Sequence, residues 1–258
     1  MGRPRLMPRQ LKLFFCALQF LTRLPAPSFA DFQPDWITRA ARYYPLVGLI
    51  VGAISAGVLL AAGQLWTGLL PALLAVAAGV LVTGGFHEDG LADTADGLGG
   101  GQTPARRLEI MKDSRVGTYG VLALGLTLAI KVAALATLPL ATAALALVAA
   151  HGAGRVAAVA VMVLGRHVSD RDDAKYKPAP DGVRPFELLV AAVLGLWPLA
   201  LLGWTGLAGA AVGAALAAVL ALTARRLIGG HTGDVLGGIE QACELGVVLG
   251  VSAMATIR

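Results

Sequence analysis

Four acidic side chains occupy nine consecutive positions within GGFHEDGLADTADGLGGG, residues 84–101. Three of them, Asp89, Asp93 and Asp96, are spaced i, i+4 and i+7, so a helix would place their carboxylates on one face. Carboxylates held this close repel one another unless a cation compensates their charge. Mg²⁺ typically takes one or two carboxylates together with substrate phosphates. The spacing therefore predicts a magnesium site that holds a phosphorylated ligand, whereas Glu88 points elsewhere and is expected in solvent.

The alternative interpretation of this stretch is a solvated loop or a set of helix caps, as most charge clusters are. A solvated loop has no need of acids on one face, or of Gly84, Gly85 and Gly97, which let other groups approach closely. We therefore favour the cation site. His87 is a candidate base or metal ligand, although a purely structural role fits its position equally well.

A basic group follows in RRLEIMKDSRVGTYG, residues 106–120, just before the next apolar run. Arg binds phosphate oxygens through a planar fork, and Lys binds them as a point charge. Lys112, Ser114 and Arg115 are therefore candidate phosphate ligands that oppose the acidic cluster. Asp113 is a further candidate metal ligand, and it is also placed to orient the neighbouring cations.

A second acidic group occurs in GGHTGDVLGGIEQACELG, residues 229–246. Glu240 and Glu244 stand one helical turn apart in the last apolar run, and carboxylates inside a membrane span usually face a polar cavity. In a shared cavity a second metal could sit between this group and the first acidic group, as in a two-metal clamp on the attacking and leaving oxygens, and Glu240 is also a candidate base. Asp234 is either a metal ligand or a helix cap.

Basic side chains also occur inside the apolar runs. Arg155, with His151 one turn earlier, is expected to face the cavity and bind phosphate, or to pair with a glutamate. Lys131 lies nearer the far membrane surface, which a long side chain can reach, so we assign it no role in the site.

The elements that must position these groups are membrane helices. Of the 258 residues, 57% are hydrophobic and 14% charged, and the mean hydropathy of +0.72 indicates a bundle embedded in a bilayer. The formal net charge is +5, but the basic residues fall mainly between apolar runs, where they orient membrane helices, so nucleic-acid binding is disfavoured. Cys16 and Cys243 lack metal or disulfide spacing.

Seven apolar runs approach the roughly 20 residues that a helix needs to cross a bilayer. They are 43–62, 66–84, 119–138, 142–164, 186–203, 205–224 and 236–256. The sequence therefore predicts an all-α polytopic membrane protein, a bundle of about seven transmembrane helices in a single domain, 1–258, since no segment alternates with the period of a β-barrel strand.

The connections between these runs differ in charge. The segments 85–118, 165–185 and 225–235 contain a large set of basic residues: Arg106, Arg107, Lys112, Arg115, Arg166, Arg171, Lys175, Lys177, Arg184, Arg225 and Arg226. The opposite connections carry no charge, although the last span would leave Arg258 on their side. The positive-inside rule therefore predicts a multi-pass protein of the inner membrane with a cytoplasmic active face, formed by 85–118 and the second acidic segment, 225–246.

The N-terminal segment, 1–42, is expected to lie at the cytoplasmic membrane interface. Apolar residues recur at helical spacing across 11–22: Leu11, Phe14, Phe15, Leu18 and Leu21. The Arg-rich start and Ser28-Phe29-Ala30 would also fit a cleaved signal peptide, but Arg23 and Pro25 interrupt its apolar core, so we favour a retained interfacial helix.

In this order, the motifs resemble those of the cobalamin synthase family, the adenosylcobinamide-GDP ribazoletransferases. The resemblance rests on FLTRLPAP at 20–27, YYPLVGLIVG at 43–52, TGGFHEDGLADTADGLGGG at 83–101, LEIMKDSRVGTYG at 108–120 and GGHTGDVLGGIEQACEL at 229–245. It covers nearly the whole chain, and the acidic block is its most specific part. The family's acidic and basic motifs fall on His87, Asp89, Asp93 and Asp96, and on Asp113, Ser114 and Arg115.

The resemblance implies a Mg²⁺-dependent membrane enzyme that joins adenosylcobinamide-GDP to α-ribazole, or to its 5′-phosphate, and releases GMP. Asp89, Glu240 and His87 are then the candidate general bases.

Other functions remain as alternatives. A CDP-alcohol or prenyl-diphosphate transferase would use similar acids, although DGLAD does not complete the CDP-alcohol signature Asp-Gly-x-x-Ala-Arg. The alternative from another class is a divalent-cation transporter, which would place acids through the membrane depth. The sequence leaves homo-oligomerisation open.

Overall fold

The computed structural model describes residues 7–29, 31–33, 35–168 and 182–256. Within these ranges the chain forms eleven α-helices and one isolated bridge between His167 and His231, with no strand. The helices are α1 Arg9–Leu21, α2 Trp36–Ala40, α3 Tyr44–Ala62, α4 Leu70–Thr83, α5 Phe86–Gly100, α6 Pro104–Met111, α7 Thr118–Ala136, α8 Leu140–Leu164, α9 Pro185–Leu201, α10 Gly203–Ile228 and α11 Gly233–Thr256. Arg171, Lys175, Lys177 and Arg258, which contribute to the predicted charge pattern, lie outside the described residues.

The polytopic all-α fold predicted from the sequence is confirmed, but the count of seven spans is not. In the described part of the chain, five helical stretches are long and apolar enough to cross a membrane: Trp36–Ala62, α7, α8, α10 and α11. A sixth span is reached only if α4 and α5 are taken together. The reason is length, because the 14 residues of α4 rise only about 21 Å and α9 has 17 residues.

The chain turns abruptly between α4 and α5. Gly84 and Gly85 have φ of +71° and +72°, in the left-handed region that glycine adopts without strain, and α5 is bent 91° away from α4. The acidic helix therefore begins directly after this pair of glycines, and it continues past Gly97 to Gly100. The bend takes the aspartates out of the direction of the preceding span.

Glycines allow the central helices to pack at close range. A Cβ on Gly52 would lie 2.7 Å from the Val148 Cα atom, so α3 and α8 meet backbone to backbone. A Cβ on Gly213 would lie 2.8 Å from a Val247 methyl group, and the glycines of α10 and α11 are in similar contact. Small residues at helix contacts are the usual means of tight packing in membranes. The most buried spans are α11 and α8.

The N-terminal segment packs onto this bundle. The helix predicted across 11–22 is confirmed as α1, and it buries Leu13, Ala17, Leu18 and Leu21. After α2, Arg39 and Arg42 both donate to Glu187 Oε1, at 2.9 and 2.8 Å, which ties this segment to the start of α9. No pattern in the sequence predicted this ion cluster.

Candidate active site

Most of the predicted site residues meet in one cavity of about 560 Å³. Helices α1, α2, α3, α5, α6, α8 and α11 contribute lining residues, and the segments around residues 112–116, 167–168 and 232–234 border it. Nine of the residues singled out in the sequence line the cavity: His87, Asp89, Asp93, Lys112, Asp113, Ser114, Arg155, Asp234 and Glu240. These residues are far apart in sequence, so the fold itself assembles acids and bases around a common space.

A close contact between α5 and α11 brings the first and second acidic groups together. A Cβ on Gly90 would lie 2.8 Å from the Asp234 carbonyl oxygen and 3.3 Å from the Gly237 Cα atom. Because both positions are glycine, α11 begins directly beside the helical turn that carries Asp89 and Asp93. Asp234, in the first turn of α11, therefore reaches the same cavity.

Asp96 does not line this cavity, which differs from the prediction that all three aspartates share one metal site. Its side chain is 7% exposed, and it accepts from the Gly117 amide at 2.7 Å and from the Gly120 amide at 2.9 Å. These donors are the first amides of α7, which have no partner within their own helix. Asp96 is therefore a tertiary cap of α7, because both of its oxygens are already bonded.

Arg115 also lies outside the cavity. Its guanidinium donates from Nε to Asp113 Oδ1 at 3.0 Å and from Nη2 to Asp113 Oδ2 at 2.7 Å, and its side chain is 88% exposed. These hydrogen bonds from Arg115 lower the pKa of Asp113 to about 2. The expected orienting role of Asp113 is thus directed at Arg115, while Lys112 and Ser114 are the members of the basic motif that border the cavity.

Arg155 links the cavity to a buried ionic network. Its side chain is 2% exposed, and Nη1 forms ion pairs with Glu240 Oε1 and, at 2.9 Å, with Glu244 Oε1. His151 Nδ1 lies 2.5 Å from the same Glu244 oxygen. The prediction that Arg155 either faces the cavity or pairs with a glutamate is confirmed on both counts. Glu244, by contrast, does not line the cavity.

Lys131 completes this network, and the interpretation of Lys131 as an interfacial side chain is wrong. The side chain is 4% exposed, and Nζ donates to Glu244 Oε2 at 2.9 Å and to Gln241 Oε1 at 2.8 Å. The amide of Gln241 donates to Glu240 Oε2 and, at 3.1 Å, to Glu88 Oε1, so Glu88 is not a solvated residue either. The feature of the sequence that could have indicated a buried role for Lys131 is its charge in the middle of an apolar run.

The network also bears on the predicted second metal. One ligand atom each from His151, Glu240 and Glu244 lie within 4.8 Å of one another, which would suit a cation. The ammonium of Lys131 and the guanidinium of Arg155 already contact these carboxylates. These two positive side chains therefore compensate the carboxylate charge that a second metal would compensate. The geometry favours ion pairing over a second metal at this position.

The fit to Mg²⁺ is better at α5. Asp89 and Asp93 stand one helical turn apart, and both line the cavity with Asp234 beside them. Hard oxygen ligands that leave room for a phosphate are the donor set that Mg²⁺ prefers. The chemistry of the residues present thus suits one such ion between α5 and a phosphorylated ligand.

Comparison with known proteins adds an independent observation. The family model described as cobalamin-5-phosphate synthase matches residues 13–252 of this chain. The chain is 45% identical over 252 residues to adenosylcobinamide-GDP ribazoletransferase of Leptothrix cholodnii, covering 93% of this chain and 95% of the relative. It is 44% identical over 243 residues to the protein of the same name from Shewanella frigidimarina, covering 92% of each chain. A third relative of that name, from Shewanella pealeana, is 44% identical over 261 residues, covering 95% of this chain and 98% of the relative. No solved structure matches the chain at a significant level.

Proposed function

The chain belongs to the cobalamin-5-phosphate synthase family, and from this premise we propose that it is an adenosylcobinamide-GDP ribazoletransferase. The observation that carries the proposal is the single cavity in which Asp89 and Asp93 face Lys112 and Arg155. Acids that suit a divalent cation, opposed by cations that suit phosphate, form a site for a diphosphate.

The reaction is the transfer of a substituted phosphoryl group. The 3′-hydroxyl oxygen of α-ribazole, or of its 5′-phosphate, forms a bond to the phosphorus nearer cobinamide. The diphosphate bond to the second phosphorus breaks, and GMP leaves with that oxygen. The hydroxyl proton passes to a base. Positioning and charge stabilisation supply most of the catalysis in such transfers, so the protein needs no covalent intermediate.

Asp89 and Asp93 are the residues that would hold Mg²⁺, and Asp234 is a further carboxylate that lines the same cavity. When bound, the ion would neutralise phosphate oxygens and polarise the phosphorus. Lys112 and Arg155 provide fixed positive charge for the departing GMP, and Ser114 offers a hydroxyl donor.

The three candidate proton acceptors all line the cavity, and the proposed metal site reduces them to two. A carboxylate bound to a cation is a poor base, so assigning Asp89 to the metal leaves Glu240 and His87. Both are buried at the cavity, with 1% and 4% of their surfaces exposed. Glu240 is held in place by Arg155 and Gln241.

The proposal places the chain in the inner membrane with the cavity open to the cytoplasm. Support comes from the loops that border the cavity, at 112–116, 167–168 and 232–234, which all belong to segments of the basic side. The positive-inside rule assigns that side to the cytoplasm.

The alternative functions are less well supported. A cation transporter would leave carboxylates available through the membrane depth, but Glu244 is paired with Lys131, His151 and Arg155. The test is to incubate the purified protein with Mg²⁺ and, separately, adenosylcobinamide-GDP plus α-ribazole, a CDP-alcohol and an alcohol acceptor, or a prenyl diphosphate. Turnover is expected only in the first mixture, with release of GMP; the other two would release CMP or diphosphate. Turnover in either of the others, or divalent-cation flux in proteoliposomes without turnover, would overturn the proposal.

A further inference from the structure

One side of the cavity carries no charge. Six of its lining side chains, which we call the apolar wall, are Phe20, Leu21, Ile37, Tyr44, Met162 and Leu236. All six belong to the same hydrophobic cluster, in which α1 and α2 pack against α3, α8 and α11. The wall is therefore one continuous apolar surface, and it shares the cavity with the acids of α5.

Aromatic rings form the exposed part of this side. The Phe20 ring stacks on Tyr44 with centroids 5.8 Å apart and planes inclined by 26°. It also meets the edge of Phe86, 5.4 Å away, and Phe86 is 37% exposed. Phe20 and Phe86 therefore present apolar ring surface to whatever occupies the cavity, next to Asp89.

The wall offers almost no hydrogen-bonding capacity. Its one side-chain hydroxyl, on Tyr44, donates to the Ile37 carbonyl oxygen at 3.4 Å. A ligand ring with amino or carbonyl groups would lose its hydrogen bonds to water here without replacement, which is unfavourable. A planar ring that is mostly hydrocarbon loses far fewer hydrogen bonds to water and gains contact with aromatic faces.

We propose that the apolar wall binds the dimethylbenzimidazole base of the nucleophile, α-ribazole or its 5′-phosphate, and excludes the guanine of the GDP-activated substrate. This inference rests on the proposed function. The base of α-ribazole carries two methyl groups and no exocyclic donor or acceptor, whereas guanine carries an amino group and a carbonyl group. Binding of the base at Phe20 and Phe86 holds its ribose near the acidic side, where the 3′-hydroxyl meets the diphosphate.

The dimensions of the cavity agree with this assignment. A volume of about 560 Å³ lies within the range of sites that enclose small ligands, about 300–1,000 Å³. A nucleoside phosphate fits such a space together with a diphosphate. The corrin ring of the other substrate then remains at the opening, and recognition inside the cavity is left to the smaller partner.

Substitutions in the two rings test the assignment. Phe20→Ala and Phe86→Ala are expected to raise the KM for α-ribazole about tenfold, while the KM for adenosylcobinamide-GDP stays within about twofold. Phe20→Leu should retain part of the affinity. The matched control is Phe14→Ala, which removes another half-buried ring of α1 that does not line the cavity. A rise in the KM for adenosylcobinamide-GDP instead, or no change in either KM, would overturn the proposal. The latter result is also the one expected if a lipid chain covers the wall.

A substrate series gives a second readout that does not depend on protein stability. For the wild type, the KM is expected to rise from the riboside of dimethylbenzimidazole to that of benzimidazole and then to that of adenine. In Phe20→Ala the differences in KM among the three ribosides should be smaller. Equal KM values across the series would contradict the assignment. If the wild type releases no GMP from any pair, the proposed function fails. Calorimetry of α-ribazole binding then still tests the apolar wall. The assignment predicts that the affinity for α-ribazole is about tenfold lower in Phe20→Ala, and an unchanged affinity would contradict it.

Discussion

The ammonium group of Lys131 lies 2.9 Å from Glu244 Oε2, and both side chains are almost fully buried among membrane-spanning helices. Glu244 in turn contacts Arg155, which lines the cavity. The pair therefore lies one residue away from the site. Buried ion pairs are costly to break because the remaining charge has no solvent to compensate it.

Replacement of Lys131 by Met should destabilise the protein by about 3–5 kcal/mol, because Glu244 would keep a buried charge with fewer partners. The apparent unfolding temperature in detergent measures this loss. Lys131→Met combined with Glu244→Gln should recover part of the stability, and Lys131→Arg should cost less than Lys131→Met. Strictly additive effects of the two substitutions would show that the residues do not interact.

Asp93 and Asp96 should respond differently to the same change. Asp93→Asn removes a cavity carboxylate, so the Mg²⁺ concentration at half-maximal rate should rise by about tenfold or more, with little effect on stability. Asp96→Asn weakens the cap of α7, so the protein should lose about 0.5–2 kcal/mol of stability with an unchanged Mg²⁺ requirement. Mg²⁺ titration and thermal unfolding of both variants separate these roles. An altered Mg²⁺ requirement in Asp96→Asn would return that residue to the metal site.

Gly90→Ala should abolish most activity, because the new Cβ would lie 2.8 Å from the Asp234 carbonyl oxygen and would push α5 away from α11. Asp89 and Asp93 would then shift relative to Glu240. Gly125→Ala is the matched control, since a Cβ there meets nothing within 4 Å and alanine favours the helix. Turnover and expression level of the two variants are the measurements. Wild-type activity in Gly90→Ala would refute the close contact.

The pH dependence of the reaction should owe nothing to Asp113. Hydrogen bonds from Arg115 lower its pKa to about 2, from an ordinary value of 3.8. A lowered pKa means that the pairing with Arg115 is complete above the ordinary value and is lost only as the pH falls toward about 2. The profiles of wild type and Asp113→Asn should therefore have the same shape between about pH 5 and about pH 9. If one limb of the wild-type pH–rate profile were missing in Asp113→Asn, Asp113 would contribute to the pH dependence and this prediction would be contradicted.

The sequence predicted the chemistry more completely than the geometry. Spacing alone made Asp89, Asp93 and Glu240 candidates, because acids in an apolar chain are conspicuous, and all three line the cavity. Spacing could not predict the role of Asp96. The three aspartates share one face of α5, but that face extends beyond the cavity, and Asp96 lies against the first amides of α7 instead. Lys131 was misplaced for a similar reason. Its depth depends on which residue of another helix faces it, and that pairing with Glu244 is not encoded in local spacing.

The count of seven spans is not confirmed, and part of the reason is local. The apolar run at 66–84 has almost the length of a span, but α4 begins only at Leu70 and ends where Gly84 becomes left-handed. Hydropathy depends only on composition, so it cannot predict such a bend. The orientation of α5, and with it the direction in which the aspartates point, therefore had to come from the structure.

The central claim is that Asp89 and Asp93 hold a cation against a diphosphate whose cleavage releases GMP. The most direct test measures GMP and the complete corrinoid formed from adenosylcobinamide-GDP and α-ribazole as Mg²⁺ is varied, in wild type and in Asp89→Asn. The two products should appear in equal amounts and only with Mg²⁺, and Asp89→Asn should be slower by about 100-fold or more while inserting normally into membranes. GMP release that is independent of Mg²⁺, or a wild-type rate in Asp89→Asn, would contradict the claim.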